Sequence, residues 1–452
     1  MDKHTAAGGK RVSLVSLGCP KNLLDSEVML GKLFGSGYEL TLDPIDADYL
    51  IVNTCGFIQS AKEESIEHIL EMAEIKAQYA GKKLIVAGCL AQRYGSELQR
   101  EIPEVDVLVG TGHFQQMPEV LVQLETPVPR REYLSDNVYL YQANDVRIQT
   151  TPSHTAYIKI AEGCNHLCTF CIIPKMRGRL KSRPINSILT EAKQLTQMGV
   201  RELILVAQDS TEYGVDIGLR QGLAQLLTRL SEEVTACDWL RVLYLYPSMI
   251  RPTLLNVYAQ QDRLCSYFDM PMQHVSDRLL RAMKRGYRQR TLFRLLDAIR
   301  DRMPDATIRS TFIVGFPGET PDDIDELLRF LERAQLDRVG VFTYSREEGT
   351  PSYNMSDQVP AREAARRRHA VMTLQQEISR HQHQDMVGQH RWALVDEDAT
   401  EDCLAIGRLA SQAPDIDGVV RIDGAVISGD LVRVEITDAD AYDFTARVVH
   451  PI

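Results

Sequence analysis

The chain lacks several features that would place it in familiar classes of protein. It has no run of 18 apolar residues, and its start, Met1 to Lys10, has no apolar core like that of a secretory signal. It has no phosphate-binding loop and no serine-nucleophile motif. Its formal net charge of −11 argues against a protein that coats nucleic acid, because phosphate binding depends on lysine and arginine. These absences predict a cytoplasmic protein that does not contact membranes.

The remaining composition is that of a folded protein with several domains. The 452 residues are 25% charged and 44% hydrophobic, and this length suggests two to four domains with ample core. Nine cysteines are present. In a reducing compartment they are thiols available to a metal rather than disulfides, so their spacing becomes the main question.

A repeated unit fills the first third of the chain, and it consists of an apolar run, a turn with a cysteine and a helical stretch. The three apolar runs are Arg11 to Cys19, Tyr49 to Cys55 and Lys83 to Cys89. Each predicts a buried parallel strand followed by a helix, and Asp106 to Gly110 predicts a fourth strand. Ligands of such sheets bind beyond the carboxyl ends of the strands. We therefore expect Cys19, Cys55 and Cys89 to converge at one edge.

The rest of the chain predicts a linker, a partial barrel and a small closed sheet. Between residues 111 and 152 prolines interrupt the alternation. Six further apolar runs separated by helical patterns then predict six βα units, by analogy a partial (β/α)6 barrel with its chemistry at the carboxyl ends of the strands. The six runs are Tyr157 to Gly163, Glu202 to Asp209, Leu240 to Pro247, Tyr267 to Pro271, Ile308 to Pro317 and Arg338 to Ser345. Ala361 to Gln384 predicts a closing helix.

From Gly388 the pattern changes to short alternating strands, which predicts a small β-barrel. The expected fold class is therefore α/β with an additional β-barrel. We place an amino-terminal parallel α/β domain at residues 10–125, a partial (β/α)6 barrel at 150–387 and the small β-barrel at 388–452.

A short cysteine run carries the clearest chemical signal. Cys164, Cys168 and Cys171 form a C-x3-C-x2-C pattern directly after the apolar run Tyr157 to Gly163. Three thiolates this close together can bind three irons of a cubane cluster and leave the fourth iron open to a substrate or cofactor. A structural zinc site would require a fourth ligand, which His166 supplies in the alternative interpretation.

The run Cys164 to Cys171 closely resembles that of the radical-SAM enzymes. The resemblance implies a 4Fe-4S cluster whose open iron chelates S-adenosylmethionine (SAM). One electron then cleaves the sulfonium to give a 5′-deoxyadenosyl radical. It also implies that the six βα units form the radical-SAM core.

Two later motifs resemble positions at which this family contacts SAM. Gly199-Val-Arg-Glu202 stands where many members have a Gly-Gly-Glu motif, although only one of the two glycines is present, and it implies that Glu202 meets the methionyl amine. Ile313 to Thr320 resembles the later glycine motif beside the adenosyl moiety and points to Gly315. The alternative for the second motif is an ordinary strand-to-helix turn at Pro317-Gly318.

The second triad, Cys19, Cys55 and Cys89, suits another cubane with one open iron, whereas each cysteine alone would pack as a small hydrophobic residue. The sequences around the three cysteines resemble the amino-terminal domain of the methylthiotransferases. They are Gly18-Cys-Pro-Lys-Asn22, Asn53-Thr-Cys-Gly-Phe57 and Gly88-Cys-Leu-Ala-Gln92. With a terminal barrel of the TRAM type, the resemblance covers nearly the whole chain. It implies that the auxiliary cluster carries a sulfur that one SAM methylates before a second SAM generates the radical.

Other features have ordinary interpretations. Cys237, Cys265 and Cys403 show no mutual spacing and are expected to be structural. The basic run Lys175 to Arg183 is expected to be a solvated loop, although its position after the first triad leaves room for contact with an anion or a substrate.

The charge of the small barrel favours one substrate class over another. Residues 388–452 hold thirteen acidic residues against five arginines and no lysine, a formal charge of −8. Such a surface suits a basic protein partner and repels the phosphates of tRNA. Leu17 to Asn22 and Cys171 to Gly178 resemble the branch of the family that modifies the β-carbon of an aspartate in small-subunit ribosomal protein twelve.

The expected reaction is therefore methylthio insertion into that basic ribosomal protein, free or on the ribosome. A reductant and a sulfur donor are the other expected partners, and no tRNA substrate is expected. The nearest alternative is a tRNA adenosine methylthiotransferase. An alternative of another class is a non-catalytic iron-sulfur protein associated with the ribosome, but fully ligated clusters would suit that role better than two triads that are each one ligand short.

Overall fold

The computed structural model describes residues 9–450 and arranges their strands in two α/β parts and one closed barrel. Residues 1–8, on which the expectation about a secretory signal partly rests, lie outside this range. So do the last two residues of the expected third domain. None of the helices in residues 9–450 combines the length and the hydropathy that a bilayer crossing requires.

A parallel sheet forms the first part, in the strand order β2-β1-β3-β4-β5-β6. Its strands are β1 (Arg11–Ser16), β2 (Glu39–Leu40), β3 (Tyr49–Thr54), β4 (Lys83–Gly88), β5 (Val107–Val109) and β6 (Glu132–Tyr133). Its helices are α1 (Pro20–Gly35), α2 (Gln59–Gln78), α3 (Cys89–Glu101) and α4 (Met117–Leu124). All six residues of β3 are buried, which explains its unbroken apolar sequence. The four predicted strands of this part are confirmed.

The expectation of an irregular segment between residues 111 and 152 is wrong in part. Helix α4 lies there, and β6 extends the first sheet by pairing Leu108 with Glu132 and Val109 with Tyr133. A strand of two residues is too short to produce a recognisable alternation in sequence. The first sheet therefore ends beyond residue 125.

The second part contains the six predicted parallel strands as two three-stranded sheets, β7-β10-β11 and β12-β13-β14, which a parallel bridge between Leu240 and Leu264 joins. The strands of this part are β7 (Thr155–Lys159), β8 (Ala161–Glu162), β9 (Lys181–Ser182), β10 (Glu202–Val206), β11 (Trp239–Val242), β12 (Tyr267–Asp269), β13 (Thr307–Val314) and β14 (Arg338–Thr343). The short pair β8 and β9 is antiparallel.

Helices follow most of these strands, as βα units require. They are α5 (Ile173–Arg177), α6 (Ile185–Gln197), α7 (Gly222–Glu233), α8 (Pro252–Gln260), α9 (Asp277–Ala282), α10 (Gln289–Arg300), α11 (Pro321–Ala334) and α12 (Ala361–Gln384). Short 3₁₀ turns occupy Phe114–Gln116, Ser210–Glu212, Val215–Ile217, Pro247–Met249 and Pro351–Asn354. The closing helix α12 has the predicted bounds.

A five-stranded closed barrel completes the fold in the strand order β15-β16-β17-β19-β18, which confirms the predicted small β-barrel. Its strands are β15 (His390–Glu397), β16 (Ala405–Leu409), β17 (Val420–Asp423), β18 (Leu431–Ala439) and β19 (Phe444–His450). The barrel packs on the second part through buried charge. The guanidinium of Arg408 lies 2.7 Å from the carboxylate of Glu202, and Tyr267 donates a hydrogen bond of 2.6 Å to Asp417.

Candidate active site

One cavity of about 450 Å³ lies where the two α/β parts meet. All six cysteines of the two triads line it, as does Ile416 from the loop between β16 and β17. Cys19, Cys55 and Cys89 follow β1, β3 and β4, at the carboxyl ends of parallel strands. The expected convergence of these three cysteines at one edge of the sheet is therefore observed.

Tight turns bring the auxiliary triad together. Gly18 has a φ of +90°, and a Cβ built at this position would lie 2.8 Å from the Cβ of Cys55, so glycine is what allows the two turns to approach. The side chain of Asn22 fixes the same turn by donating a hydrogen bond of 2.6 Å to the carbonyl of Leu17. Pro20 begins α1, where a missing N–H is tolerated.

Backbone hydrogen bonds shape the loop that carries the second triad. The amide of Cys171 donates to the carbonyl of Cys168 at 3.1 Å, and the amide of Cys164 donates to Gly178 at 3.1 Å. The amide of Thr169 donates to Met283 at 3.2 Å, which ties the loop to the end of α9. The three cysteines thus lie on one eight-residue segment that these hydrogen bonds fold.

A buried arginine accompanies each triad. The Nε of Arg177 lies 3.3 Å from the Sγ of Cys89, and its Nη1 pairs with Asp25 at 2.7 Å and with Glu162 at 3.0 Å. The Nη1 of Arg285 lies 3.4 Å from the Sγ of Cys168. Charge-assisted hydrogen bonds of this kind stabilise sulfur that carries negative charge.

Burial and neighbouring charges shift the pKa of five thiols of the two triads. Burial raises the pKa of Cys55, Cys164 and Cys171 to about 12 in each case, and it raises the pKa of Cys89 as well. For Cys19 burial acts in the same direction, but the charges of Lys21 and Arg177 outweigh it and lower the pKa. Most of these thiols therefore stay protonated at neutral pH unless a metal displaces the proton.

These residues fit two iron-sulfur clusters in type and setting. Each triad offers three soft sulfur ligands, together with a buried cation that balances thiolate charge. The zinc alternative fits less well, because the Nε2 of His166 lies 2.6 Å from the Oδ2 of Asp209 and the imidazole stacks on Tyr246 at 3.9 Å. His166 is thereby engaged away from the three thiols.

The structure corrects the expectation that Glu202 contacts SAM. Glu202 is the first residue of β10, so it lies at the amino end of that strand, whereas the cavity lies at the carboxyl ends. Its carboxylate is fully buried and pairs with Arg241 at 2.8 Å and with Arg408 at 2.7 Å. It therefore holds the small barrel in place rather than meeting a ligand.

Gln208 and Asp209 occupy the carboxyl end of the same strand and line the cavity. The prediction of Glu202 relied on its distance from Gly199, and it therefore selected a residue at the amino end of β10 instead of the carboxyl end. The signal was available, because two polar residues directly after an apolar run mark the ligand edge of a parallel sheet. Gly315 follows β13 at the correct end, with a φ of +79° and its N–H donating to Glu319 at 2.7 Å. Its predicted contact with SAM stays a prediction.

The expectation of a solvated loop from Lys175 to Arg183 is wrong for Arg177 and Arg183. Arg177 lies on α5 and Arg183 follows β9, and both are buried. Arg183 pairs with Glu191 at 2.5 Å. Of the cysteines outside the triads, Cys237 and Cys265 are buried and Cys403 is exposed.

A partial (β/α)6 barrel with a three-cysteine loop after its first strand defines a radical-SAM enzyme. The family model described as Radical SAM superfamily matches residues 158–331, the TRAM domain model matches 387–449, and the model described as Uncharacterized protein family UPF0004 matches 11–110. The enzyme class implies the use of an iron-sulfur cluster and SAM.

Relatives of nearly the same length define the family. The chain is 45% identical to the ribosomal protein uS12 methylthiotransferase RimO of Trichlorobacter lovleyi, over 97% of this chain and 98% of that protein. It is 47% identical to the protein of the same name from Desulforamulus reducens, over 97% and 99%. The chain belongs to the radical-SAM methylthiotransferases of this uS12 family.

A solved structure shares the fold at low sequence identity. The radical S-adenosylmethionine methyltransferase TsrM of Kitasatospora setae, with cobalamin and a 4Fe-4S cluster bound, has a TM-score of 0.55 and 14% identity. The match covers 76% of this chain and 77% of that one. At this identity the likeness concerns the fold alone.

Proposed function

We propose that this methylthiotransferase inserts a methylthio group at the β-carbon of an aspartate in ribosomal protein uS12. The observation that carries the proposal is the single cavity that both cysteine triads line, because it allows sulfur and radical to reach the same carbon. Membership in the uS12 family supports the choice of substrate.

Two 4Fe-4S clusters are part of this proposal. Cys164, Cys168 and Cys171 would hold one, and Cys19, Cys55 and Cys89 would hold the other. When bound, the first supplies the electron that cleaves SAM to a 5′-deoxyadenosyl radical, and the second supplies an open iron for the sulfur that is inserted. Replacing a hydrogen by S–CH₃ in this way uses one SAM as methyl donor, a second as radical source, a sulfur donor and a reductant.

The two buried arginines keep thiolates stable at the cavity. Arg177 and Arg285 each direct a guanidinium N–H at a cysteine sulfur, so negative charge that forms on those sulfurs is balanced without water. The carboxylates of Asp25 and Glu162 hold Arg177 in place. The arginines thus position charge and take no part in bond formation.

Apolar side chains limit the access of water to the reacting centre. Phe57, Phe170, Ile173 and Met176 line the cavity together with the two sets of thiols. An enclosed apolar wall protects a reactive intermediate from side reactions. The same wall gives a carbon substrate favourable contacts.

We assign contact with SAM to the polar edge beside Cys164. Gln208 and Asp209 line the cavity there, and the Oδ1 of Asp209 accepts a hydrogen bond of 2.8 Å from the amide of Thr211, which fixes its side chain. A carboxylate and an amide suit the methionyl amine of SAM. Gly315 remains the candidate for the adenosyl side.

The charge of the small barrel supports a basic protein as partner. The end of β15 and the loop that follows it carry four exposed acids, Glu397, Asp398, Glu401 and Asp402. Their field attracts the lysines and arginines of a ribosomal protein and repels tRNA phosphate, so we propose no direct tRNA substrate. The division into residues 10–125, 150–387 and 388–452 belongs to this proposal, with the first domain extended to include β6 and docking assigned to the last.

The decisive experiment is reconstitution with defined components. The protein loaded with iron and sulfide under anaerobic conditions, with SAM and a reductant, should add one methylthio group to uS12, and mass spectrometry of proteolytic fragments should place it on an aspartate. The tRNA pool serves as the competing substrate. Methylthiolation of tRNA with none on uS12 would contradict the proposal.

A further inference from the structure

The cavity is positively lined although the whole chain is negative. Four of the side chains that line it are lysine or arginine. Among the described lining residues, Asp209 is the one that carries a carboxylate. The four cations are Lys21, Arg177, Arg285 and Arg309. A buried cation normally has a defined partner, because an unpaired charge in a poorly hydrated site is costly.

Three of the four cations already have partners. Arg177 pairs with two carboxylates and a thiol, and Arg285 donates to Cys168 and to the carbonyl of Pro271. Arg309 pairs with the carboxylate of Asp269 at 2.7 Å. Within residues 9–450, neither Arg285 nor Lys21 pairs with a carboxylate, but Arg285 donates to a thiol and a carbonyl, whereas the ammonium of Lys21 faces an aromatic ring.

The ammonium of Lys21 is held in place but keeps its charge available. The residue is only 7% exposed, and its Nζ lies 3.3 Å from the centre of the Tyr244 ring. Tyr244 has a φ of +62°, a left-handed conformation that is rare for a bulky residue and is kept where surrounding structure enforces it. Its amide donates to Asp269 at 2.9 Å, which anchors this conformation. A cation–π contact of this kind orients an ammonium without neutralising it.

We propose that Lys21 binds the side-chain carboxylate of the substrate aspartate, and so selects aspartate over its neutral analogue asparagine. The inference rests on the proposed function and adds a specificity residue to it. The carboxylate is bonded directly to the β-carbon, so an ion pair with Lys21 holds the reacting carbon one bond away. Lys21 is also two residues from Cys19, which places this carbon beside the triad assigned to the sulfur.

Two other roles for this charge make different predictions. The carboxylate of SAM is one competitor, but SAM is assigned to the triad of Cys164 on the other side of the cavity. Simple charge balance for Cys19 is the other. An asparagine substrate separates the three roles, because only a substrate-binding Lys21 discriminates between aspartate and asparagine.

The test compares two forms of uS12 that differ at one residue. Full-length protein with both clusters reconstituted is titrated with uS12 carrying its target aspartate and with uS12 carrying asparagine in that position. SAM affinity and iron content are measured on the same samples. The variants are Lys21→Met, which keeps the length of the side chain without its charge, and Lys21→Arg, which keeps the charge.

Lys82→Met is the matched control. Lys82 is 9% exposed, lies in the same domain, and donates to the carbonyls of Ile45 and Ala47 rather than lining the cavity. Its loss reports the general effect of removing a buried lysine from this domain.

The wild type is expected to bind the aspartate form about tenfold or more tightly than the asparagine form, the range for a charge-assisted contact. Lys21→Met should bring this ratio close to one, Lys21→Arg should retain part of it, and Lys82→Met should leave it intact. An unchanged ratio in Lys21→Met overturns the inference. So does a loss of SAM affinity or iron in Lys21→Met with the ratio preserved, which would assign the charge to SAM or to Cys19.

Failure of the proposed function would look different. In that case the wild type would form no methylthio product on uS12, whatever the ratio of binding affinities. Product formed on the aspartate form with an unchanged ratio in Lys21→Met would leave the function standing and remove only the role of Lys21.

Discussion

The two cysteine triads reach the same cavity by different routes. Cys164, Cys168 and Cys171 belong to one loop, whose shape depends on a few local backbone hydrogen bonds. Cys19, Cys55 and Cys89 come from three successive βα units and meet only because the sheet aligns the ends of its strands. A local triad can be recognised by spacing alone, whereas a dispersed triad requires a correct topology.

The arginine beside one triad forms a contact within its own part of the molecule, whereas the arginine beside the other triad contacts a different part. Arg285 belongs to the second part, as does Cys168, to which it donates. Arg177 also belongs to the second part but contacts Cys89 and Asp25 of the first, so it joins the two. The auxiliary triad thus depends on contacts between domains, and the local triad does not.

The largest expected effect comes from removing the local triad. Replacing Cys164, Cys168 and Cys171 by alanine should abolish formation of 5′-deoxyadenosine, because no open iron would remain to bind and cleave SAM. Iron should fall from about eight to about four per chain. Chromatographic assay of 5′-deoxyadenosine and iron analysis test this. Cleavage of SAM by the triple variant would show that the radical chemistry lies elsewhere.

Removing the dispersed triad should separate the two halves of the reaction. Replacing Cys19, Cys55 and Cys89 by alanine should eliminate methylthio insertion while SAM cleavage continues at a reduced rate. Mass spectrometry of uS12 and the 5′-deoxyadenosine assay, run on the same sample, measure the two outcomes. Methylthiolated product from this variant would exclude the auxiliary triad as the site that holds the sulfur.

The arginines provide a sharper version of the comparison. Arg177→Met leaves the buried carboxylates of Asp25 and Glu162 to share one remaining cation, Lys159, so one negative charge loses its partner. The variant should lower the free energy of unfolding by about 3–5 kcal/mol. Arg285→Met leaves no carboxylate without a partner and should cost less. Chemical denaturation of the cluster-free proteins measures both. Equal losses of unfolding free energy in the two variants would mean that the contacts of Arg177 between the two parts do not stabilise the protein more than the contacts of Arg285.

The smallest expected effect concerns docking. Glu401→Lys with Asp402→Lys reverses two exposed charges and should weaken binding of uS12 about twofold to tenfold at low salt, with a smaller difference at high salt. Asp396 is left unchanged, because it pairs with Arg408 at 2.8 Å and with His154 at 2.9 Å and therefore supports the fold. Asp423→Lys with Asp438→Lys, which reverses two exposed charges on β17 and β18, is the matched control. Equal effects of the two reversals would show that only net charge matters.

Local patterns were sufficient for much of the fold. The six parallel strands of the second part and the closing helix α12 were predicted because their apolar patterns extend over several residues. The triads were predicted for the same reason, since each cysteine directly follows a long apolar run or lies in a tight motif. Strand β6 was not predicted, because two residues are too few to show an alternating pattern.

The missed features share a dependence on distant residues. The partners Asp25 and Glu162 of Arg177 lie far apart in sequence, so a run of basic residues looked solvated. Glu202 was misassigned because a motif was matched without asking at which end of the strand it lies. In both cases the error concerned the direction and the surroundings of a side chain, which composition does not encode.

Through Ile416 the small barrel also contributes to the wall of the cavity. This residue belongs to the loop between β16 and β17, yet its side chain forms part of the wall of the cavity that holds both triads. A chain cut before the barrel would therefore lose part of the cavity wall as well as the proposed docking surface. If the barrel docks uS12 as proposed, one domain both binds the substrate protein and supplies a wall of the cavity in which the substrate reacts.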